Sequence, residues 1–340
     1  MAAAFDTPSG THAADRAIGL WLLVCCAMVF AVVVIGGITR LTESGLSITE
    51  WRPVAGVLPP LSEAEWERQF ELYRQIPEYR EVNRGMILAA FKTIFWWEYV
   101  HRLWARLIGI VFAVPLLVFL LRGRVRRGLA PHLIAMFLLG GLQGALGWYM
   151  VTSGLSVRTD VSQYRLVVHF LAALAIYSYM FWIALTLLRR RPAPPRAAPL
   201  RRHLLAVAAL LLPTLTFGAF VAGLDGGLVY NSFPLMGGRW IPGDAFATWI
   251  SPFEDPVTAQ FIHRWLAMAA VVSIVALWLR RFRAATAARQ IDLLAAMALL
   301  QAGLGVATLL LAVPIPLAAA HQAGAVALWT LTLWALHAAR

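Results

Sequence analysis

Charge is scarce in this chain. Aspartate, glutamate, lysine and arginine make up 14% of its 340 residues while 60% are hydrophobic, whereas soluble domains carry roughly 25% charged residues. That balance excludes an ordinary soluble domain and points to an integral membrane protein. Cysteine is scarcer still. Cys25 and Cys26 are adjacent in one apolar run, so no outer loop has a disulfide framework, and the pair reads as small apolar side chains. No cluster of thiolates and carboxylates has the spacing of a zinc or copper site. The net charge of +12 is mostly a topology signal and a contact for lipid headgroups; nothing in it asks for nucleic acid.

Long apolar runs are what the chain does have. Eight reach the roughly 20 residues needed to cross a bilayer: about 18 to 38, 91 to 121, 131 to 151, 166 to 188, 204 to 224, 258 to 279, 291 to 313 and 317 to 338. The first is too long for a signal-peptide core and lacks a cleavage site, so it reads as a membrane helix. Arginine sets the orientation. It crowds the loops after the second, fourth and sixth runs as Arg122, Arg124, Arg126 and Arg127, then Arg189, Arg190, Arg191, Arg196, Arg201 and Arg202, then Arg280, Arg281, Arg283 and Arg289. Those loops belong in the cytoplasm, and both termini with them, in a multi-pass membrane protein.

The chain reads as a duplication. Leu142-Gln143-Gly144-Ala145-Leu146-Gly147 in the third run matches Leu300-Gln301-Ala302-Gly303-Leu304-Gly305 in the seventh, and His101-Arg102 matches His263-Arg264. The expected fold is therefore an all-α membrane protein of two pseudo-symmetric four-helix bundles in tandem. Residues 1–17 are a cytoplasmic tail, 18–188 the first repeat with an outer loop over 40–90, 189–203 a linker marked by Pro192, Pro194, Pro195 and Pro199, and 204–340 the second repeat.

Histidine carries the chemistry. His101, His169, His263 and His321 each fall in the outer part of an even-numbered span. An imidazole in hydrocarbon needs a partner, and four at repeat-equivalent depth suggest two facing pairs, the arrangement that ligates two haem irons. Glu98 breaks the symmetry: it precedes His101 by three, and its counterpart before His263 is the neutral Gln260. That places chemistry in the first half and a permanent cofactor in the second. The structural alternative is an acid paired to Arg102 or Arg106. Arg102 and Arg264 are candidates for holding haem propionates through a planar fork. In the outer loop Ser62 and Glu65 form a capping box, and Trp66, Phe70 and Tyr73 recur at helical spacing, so an amphipathic helix is expected on the membrane interface as a lid. Gly140, Gly144 and Gly147 read as helix-packing glycines.

Long stretches resemble the haem A synthase family over almost the whole chain: Gly36-Gly37-Ile38-Thr39-Arg40-Leu41-Thr42-Glu43-Ser44-Gly45-Leu46-Ser47, Phe91 through Arg102, Gly141 through Met150, Tyr230 through Met236, and Gln260-Phe261-Ile262-His263-Arg264. It is similar to the subtype shared by alphaproteobacteria and mitochondria, without the outer-loop cysteine pair of the other bacterial subtype. The resemblance implies an oxidoreductase that takes the C8 methyl of haem O to the formyl of haem A by successive hydroxylations, for cytochrome c oxidase biogenesis. It implies haem b as cofactor on His263 and His321, substrate haem on His101 and His169, and Glu98 as the catalytic acid. The implied partners are haem O, haem O synthase, oxidase assembly factors, an electron acceptor that the sequence does not identify, and the lipid bilayer; a homo-oligomer stays open. If both axial positions of the cofactor are filled, electron removal with water as oxygen source suits the site better than oxygen activation. Two other classes stay open at this point: a bis-histidine dihaem electron carrier, and a transporter with parallel repeats and a proton site at Glu98.

Overall fold

The computed structural model describes residues 9–52, 55–189, 198–280 and 287–340. Arg190, Arg191, Arg196, Pro192, Pro194, Pro195, Arg281 and Arg283 lie outside the described residues, as does most of the expected linker. Eight long helices organise the described residues: α1 Ser9–Leu41, α2 Leu88–Leu121, α3 Ala130–Val151, α4 Gln163–Leu188, α5 Ala198–Gly223, α6 Pro256–Arg280, α7 Ala288–Leu310 and α8 Ile315–Ala338. Seven, all but α8, are long and apolar enough to cross a membrane. The 24-residue α8 has the length, but His321, Gln322 and His337 dilute its hydropathy.

The boundaries follow local chemistry. Pro131 sits in the first turn of α3 and Pro316 in that of α8, where no intrahelical N–H is lost. The first helix starts earlier than its apolar run, at Ser9 and not near residue 18, because Asp15 is buried and pairs with Arg126 of the loop before α3 at 2.9 Å. Most of the expected tail is therefore helix. In the same way α5 begins at Ala198, inside the segment expected as linker.

Each half closes on itself. In the first, α1 packs on α2 and α4 while α3 bridges α2 and α4; in the second, α5 packs on α6 and α8 while α7 bridges α6 and α8. The halves meet through α1 on α8, α4 on α5, and α4 on α8, a pattern that maps onto itself when the repeats are exchanged. Apolar side chains such as Ile18, Leu22, Leu133 and Met136 fill the first bundle, and Leu204, Val207, Ile274, Ile291 and Leu294 the second. A backbone detail repeats too: seven residues after Gly36 and Gly218, Glu43 and Asp225 take φ of 51° and 50°. Arg40 then ties the halves together at the outer ends, donating to both carboxylate oxygens of Asp225 at 2.9 and 3.0 Å.

The outer loop contains the expected helix, Glu63–Tyr73, with the Ser62 hydroxyl accepting from the Glu65 N–H. Its apolar face does not rest on lipid. Trp66 packs on Phe95 with ring centres 4.8 Å apart and Phe70 on Phe91 at 5.0 Å, because the outer turns of α2 offer that aromatic face. Tyr73, Phe70 and Phe91 are almost fully buried there. The loop is thereby fixed over the first bundle.

Candidate functional site

The four histidines come together as two pairs, one within each bundle. His263 on α6 and His321 on α8 face each other with ring centres 6.4 Å apart and planes at 87°. Two imidazoles bound end-on to one metal place their ring centres about 6 Å apart, with about 2 Å for each metal–nitrogen bond and about 1 Å from each nitrogen to its ring centre. The pair is spaced to hold an iron between them. His101 on α2 and His169 on α4 form the equivalent pair, close enough to feel one another electrostatically. Among the described residues no group of three or more His, Cys, Asp and Glu side chains converges on a bare metal ion.

Second contacts orient the rings. His263 Nδ1 donates to the main-chain oxygen of Thr214 at 2.9 Å, which leaves Nε2 for a metal. Gln143 and Gln301 each donate to the main-chain oxygen of their histidine at 2.8 Å and lie 3.2 and 3.0 Å from Nδ1 of His169 and His321. Their Oε1 atoms are buried without a partner. Each amide nitrogen is anchored on its histidine's own main chain and set beside the ring nitrogen nearer the backbone.

Each ring also lies against a glycine, a role that the sequence did not suggest. A methyl group on Gly36 would meet His101 at 3.0 Å, on Gly147 His169 at 3.0 Å, on Gly218 His263 at 3.1 Å and on Gly305 His321 at 2.8 Å. Gly140 and Gly144 have open space where a side chain would go, so of the three glycines expected to pack helices only Gly147 is in tight contact, and with the His169 ring. The available signal was register: Gly147 and Gly305 both stand four residues after the glutamine of the repeated motif. A side chain at any of the four should displace one ring. Gly305→Val is expected to disturb the His263–His321 pair and Gly147→Val only the His169 ring, so a haem held by the second pair should fall several-fold in the first variant alone, measured as the pyridine haemochrome of each purified variant.

Glu98 and Arg102 occupy the same corner as Gln260 and Arg264, with one polarity reversed. Arg102 donates through Nε to Glu98 Oε1 at 3.0 Å, and its terminal nitrogens reach the carbonyls of Ile48 and Glu50 at 2.7 and 3.3 Å. Arg264 donates to Gln260 Oε1 at 3.1 Å and to the carbonyls of Tyr230 and Ser232 at 2.6 and 2.7 Å. Both arginines therefore clamp an outer loop at two residues spaced by two. Around Glu98 the loop turns its donors inward, Ser47 Oγ and Ile48 N each donating to Oε2 at 2.7 Å. Around Gln260 the side-chain amide donates instead to the Tyr230 carbonyl at 3.3 Å. A carboxyl oxygen pair that accepts from three groups and meets no acceptor is an ionised carboxylate. The pairing of Glu98 with Arg102, set out above as the structural alternative, is present, and the carboxylate holds the loop as well. Glu98 is not the only acid within the long helices: Asp15 and Asp292 lie near the N-terminal ends of α1 and α7, beyond the first turn, Asp292 accepting from Trp278 Nε1 at 2.9 Å.

The residues fit a haem in the second bundle. Besides the spacing of the imidazoles, Arg264 is 9% exposed and its Nε is buried with no acceptor, an orphaned donor of the kind a propionate satisfies.

Comparison with known proteins converges on the same chemistry. A family model described as cytochrome oxidase assembly protein, COX15-CtaA, matches residues 19–333. A protein of Rhodospirillum centenum named heme A synthase is 52% identical over 98% of this chain and 91% of its own length. Proteins of the same name are each 48% identical, one from Paramagnetospirillum magneticum over 99% of this chain and 98% of its own, the other from Nitrosospira multiformis over 96% and 95%.

Proposed function

Because the chain belongs to the haem A synthase family, we propose that its first bundle oxidises the C8 methyl of haem O to the formyl group of haem A while its second bundle holds haem b. The observation that carries this reading is the pair of facing imidazoles, built twice in the same register, with a carboxylate beside one pair and a carboxamide beside the other. His263 and His321 would hold haem b, with Arg264 on a propionate. Bound there, haem b would supply one-electron transfer.

The first bundle does the rest with its own side chains. His101 and His169 hold the substrate iron between α2 and α4. Glu98 stands three residues before His101 and presents a fixed negative charge, which stabilises positive charge developing at the methyl carbon before water attacks. The loop segment around Ser47, Ile48 and Glu50, clamped by Arg102, closes the outer side against bulk solvent. Water supplies the oxygen, and the electrons leave for an acceptor outside the chain. The substrate arrives from a haem O synthase and the product passes to oxidase assembly factors. We read all eight long helices as spans of the bacterial inner membrane, with both termini in the cytoplasm.

Pigment extraction from the purified protein tests the proposal. Haem O, a hydroxylated intermediate or haem A should accompany haem b. Haem b alone at two per chain would make the protein an electron carrier instead, and no haem at all would leave the transporter.

The arginines give a smaller expectation. Lysine keeps the charge but loses the planar fork, so Arg264→Lys should lower the retention or midpoint potential of haem b, while Arg102→Lys should lower substrate haem content. Unchanged potential and haem content in both would leave these residues as loop clamps alone.

A further inference from the structure

The turn of α8 that carries His321 is held from both halves. Within its own bundle, Gln301 of α7 donates to the His321 main-chain oxygen at 2.8 Å. The second hold comes from the first repeat: Gln322, the next residue, donates through Nε2 to the Val33 carbonyl of α1 at 2.8 Å. Consecutive residues project about 100° apart around a helix, so His321 faces its partner imidazole while Gln322 reaches across the boundary between the repeats. Gly37 makes that reach possible. A methyl group there would lie within 2.8 Å of Oε1, Cδ and Nε2 of Gln322, in the space that the amide now fills.

The neighbouring glycine serves the other site. A methyl group on Gly36 would meet the His101 ring at 3.0 Å, so of two consecutive glycines on α1 the first makes room for a ligand of its own bundle and the second for a side chain of the opposite one. The link is not repeated at the equivalent junction of α4 with α5. There Phe170 stands in the place of Gln322 and Ala219 in the place of Gly37, and Phe170 packs against the apolar core of the second bundle. A directional hydrogen bond between apolar helices fixes one register, which an apolar contact by itself does not.

We propose that Gln322, seated against Gly37, is the positioning residue of the resident haem. The first helix of the first repeat holds the turn of α8 that presents His321, so the cofactor site is completed across the repeat boundary. The turn that presents His169 lacks this hold. That difference suits a substrate haem that enters and leaves at each turnover, and a cofactor haem that has only to stay. The inference rests on the assignment of haem b to the second bundle made above. It concerns the placement of a ligand and moves no electron or proton.

Release of haem b tests this without turnover. The purified full chain, carrying its own haem, is mixed with excess apomyoglobin, and the haem b left on it at timed intervals is extracted and separated from farnesylated haem by chromatography. Gln322→Ala removes the amide, and Gly37→Ala displaces it, because the flexible end of Gln322 is what gives way to the new methyl group. Each should release haem b about tenfold faster, the lower end of the losses that follow removal of a group supporting a metal ligand. The double variant should also be about tenfold faster and not about a hundredfold, since both changes remove one and the same bond. Gly36→Ala makes the same change one residue away, with the same gain in helix propensity; it should keep the wild-type rate for haem b and lower the farnesylated haem instead. The proposal is overturned if Gly37→Ala releases haem b at the wild-type rate, if the two glycine variants release it equally fast, or if the double variant is about a hundredfold faster. If Gln322→Ala fails to assemble, Gln322→Met, which keeps the length of the side chain and loses its donor, decides in the same sense. Faster loss of farnesylated haem in place of haem b from Gly37→Ala would overturn the assignment of haems to halves. Absence of any farnesylated haem from the wild type would overturn the synthase reading and leave the haem b rates standing.

Discussion

Haem b should be lost from the purified protein when either His263 or His321 is replaced by alanine, and kept when His101 or His169 is replaced. The first two substitutions each delete one of a pair of imidazoles set 6.4 Å apart and would leave a single imidazole in the second bundle to hold the iron. His263→Ala also takes the imidazole donor from the Thr214 carbonyl, and His321→Ala leaves the Gln301 amide without its ring partner. We expect less than about a tenth of the wild-type haem b in either variant, in keeping with the ten- to hundredfold losses that follow even removal of a group supporting a metal ligand. The His101 and His169 variants should keep haem b near the wild-type amount and lose haem O and haem A from the extract. Separate cores make this independence physical, since each bundle's core is built largely from its own half. Equal haem b loss from all four variants would show that the halves are assigned wrongly.

Much of this site could be read in the chain before folding. A histidine or glutamate in an apolar run stands out because burying it costs free energy that leucine does not, so His101, His169, His263, His321 and Glu98 announce themselves, and duplication turns isolated oddities into pairs. Glycine offers no such contrast. Gly147 beside an imidazole and Gly144 beside open space look the same in one dimension, and only the neighbouring helix tells them apart. The start of α1 was hidden for a related reason: Asp15 reads as part of a polar tail until Arg126, more than a hundred residues away, supplies its partner. Glu78, 4% exposed in the turn that follows the outer helix, is the extreme case. It sits among arginines and glutamates that point to water, and nothing local marks it as the one that folds inward. The outer helix was legible in its capping box and spacing, but its docking surface, the aromatic face of α2, was not.

Glu98→Gln should stop the chemistry while leaving the protein loaded. The carboxylate accepts from Arg102 on one oxygen and from Ser47 and Ile48 on the other, so it satisfies donors on both sides. A carboxamide has one acceptor and one donor end. If its oxygen faces the loop, its NH2 meets the guanidinium; if it faces Arg102, its NH2 meets the Ser47 hydroxyl and the Ile48 N–H. Each buried donor left unpaired costs about 1–3 kcal/mol. Gln260 escapes this conflict because the second-half loop turns a carbonyl toward it, so the two corners are not interchangeable. On the proposed reading the substitution therefore removes the negative charge beside the reacting methyl and loosens the loop segment that covers it. Loss of one electrostatic contact to a developing charge lowers turnover by about 10²–10³-fold, and we expect haem A to fall by about a hundredfold, with haem O or a hydroxylated intermediate accumulating and haem b unchanged. Ser47→Ala separates the two effects, because it removes one bond to the loop and keeps the charge; it should cost far less haem A than Glu98→Gln. If the two variants lose haem A equally, Glu98 acts by holding the loop, and if Glu98→Gln makes haem A at the wild-type level, the carboxylate has no part in the oxidation.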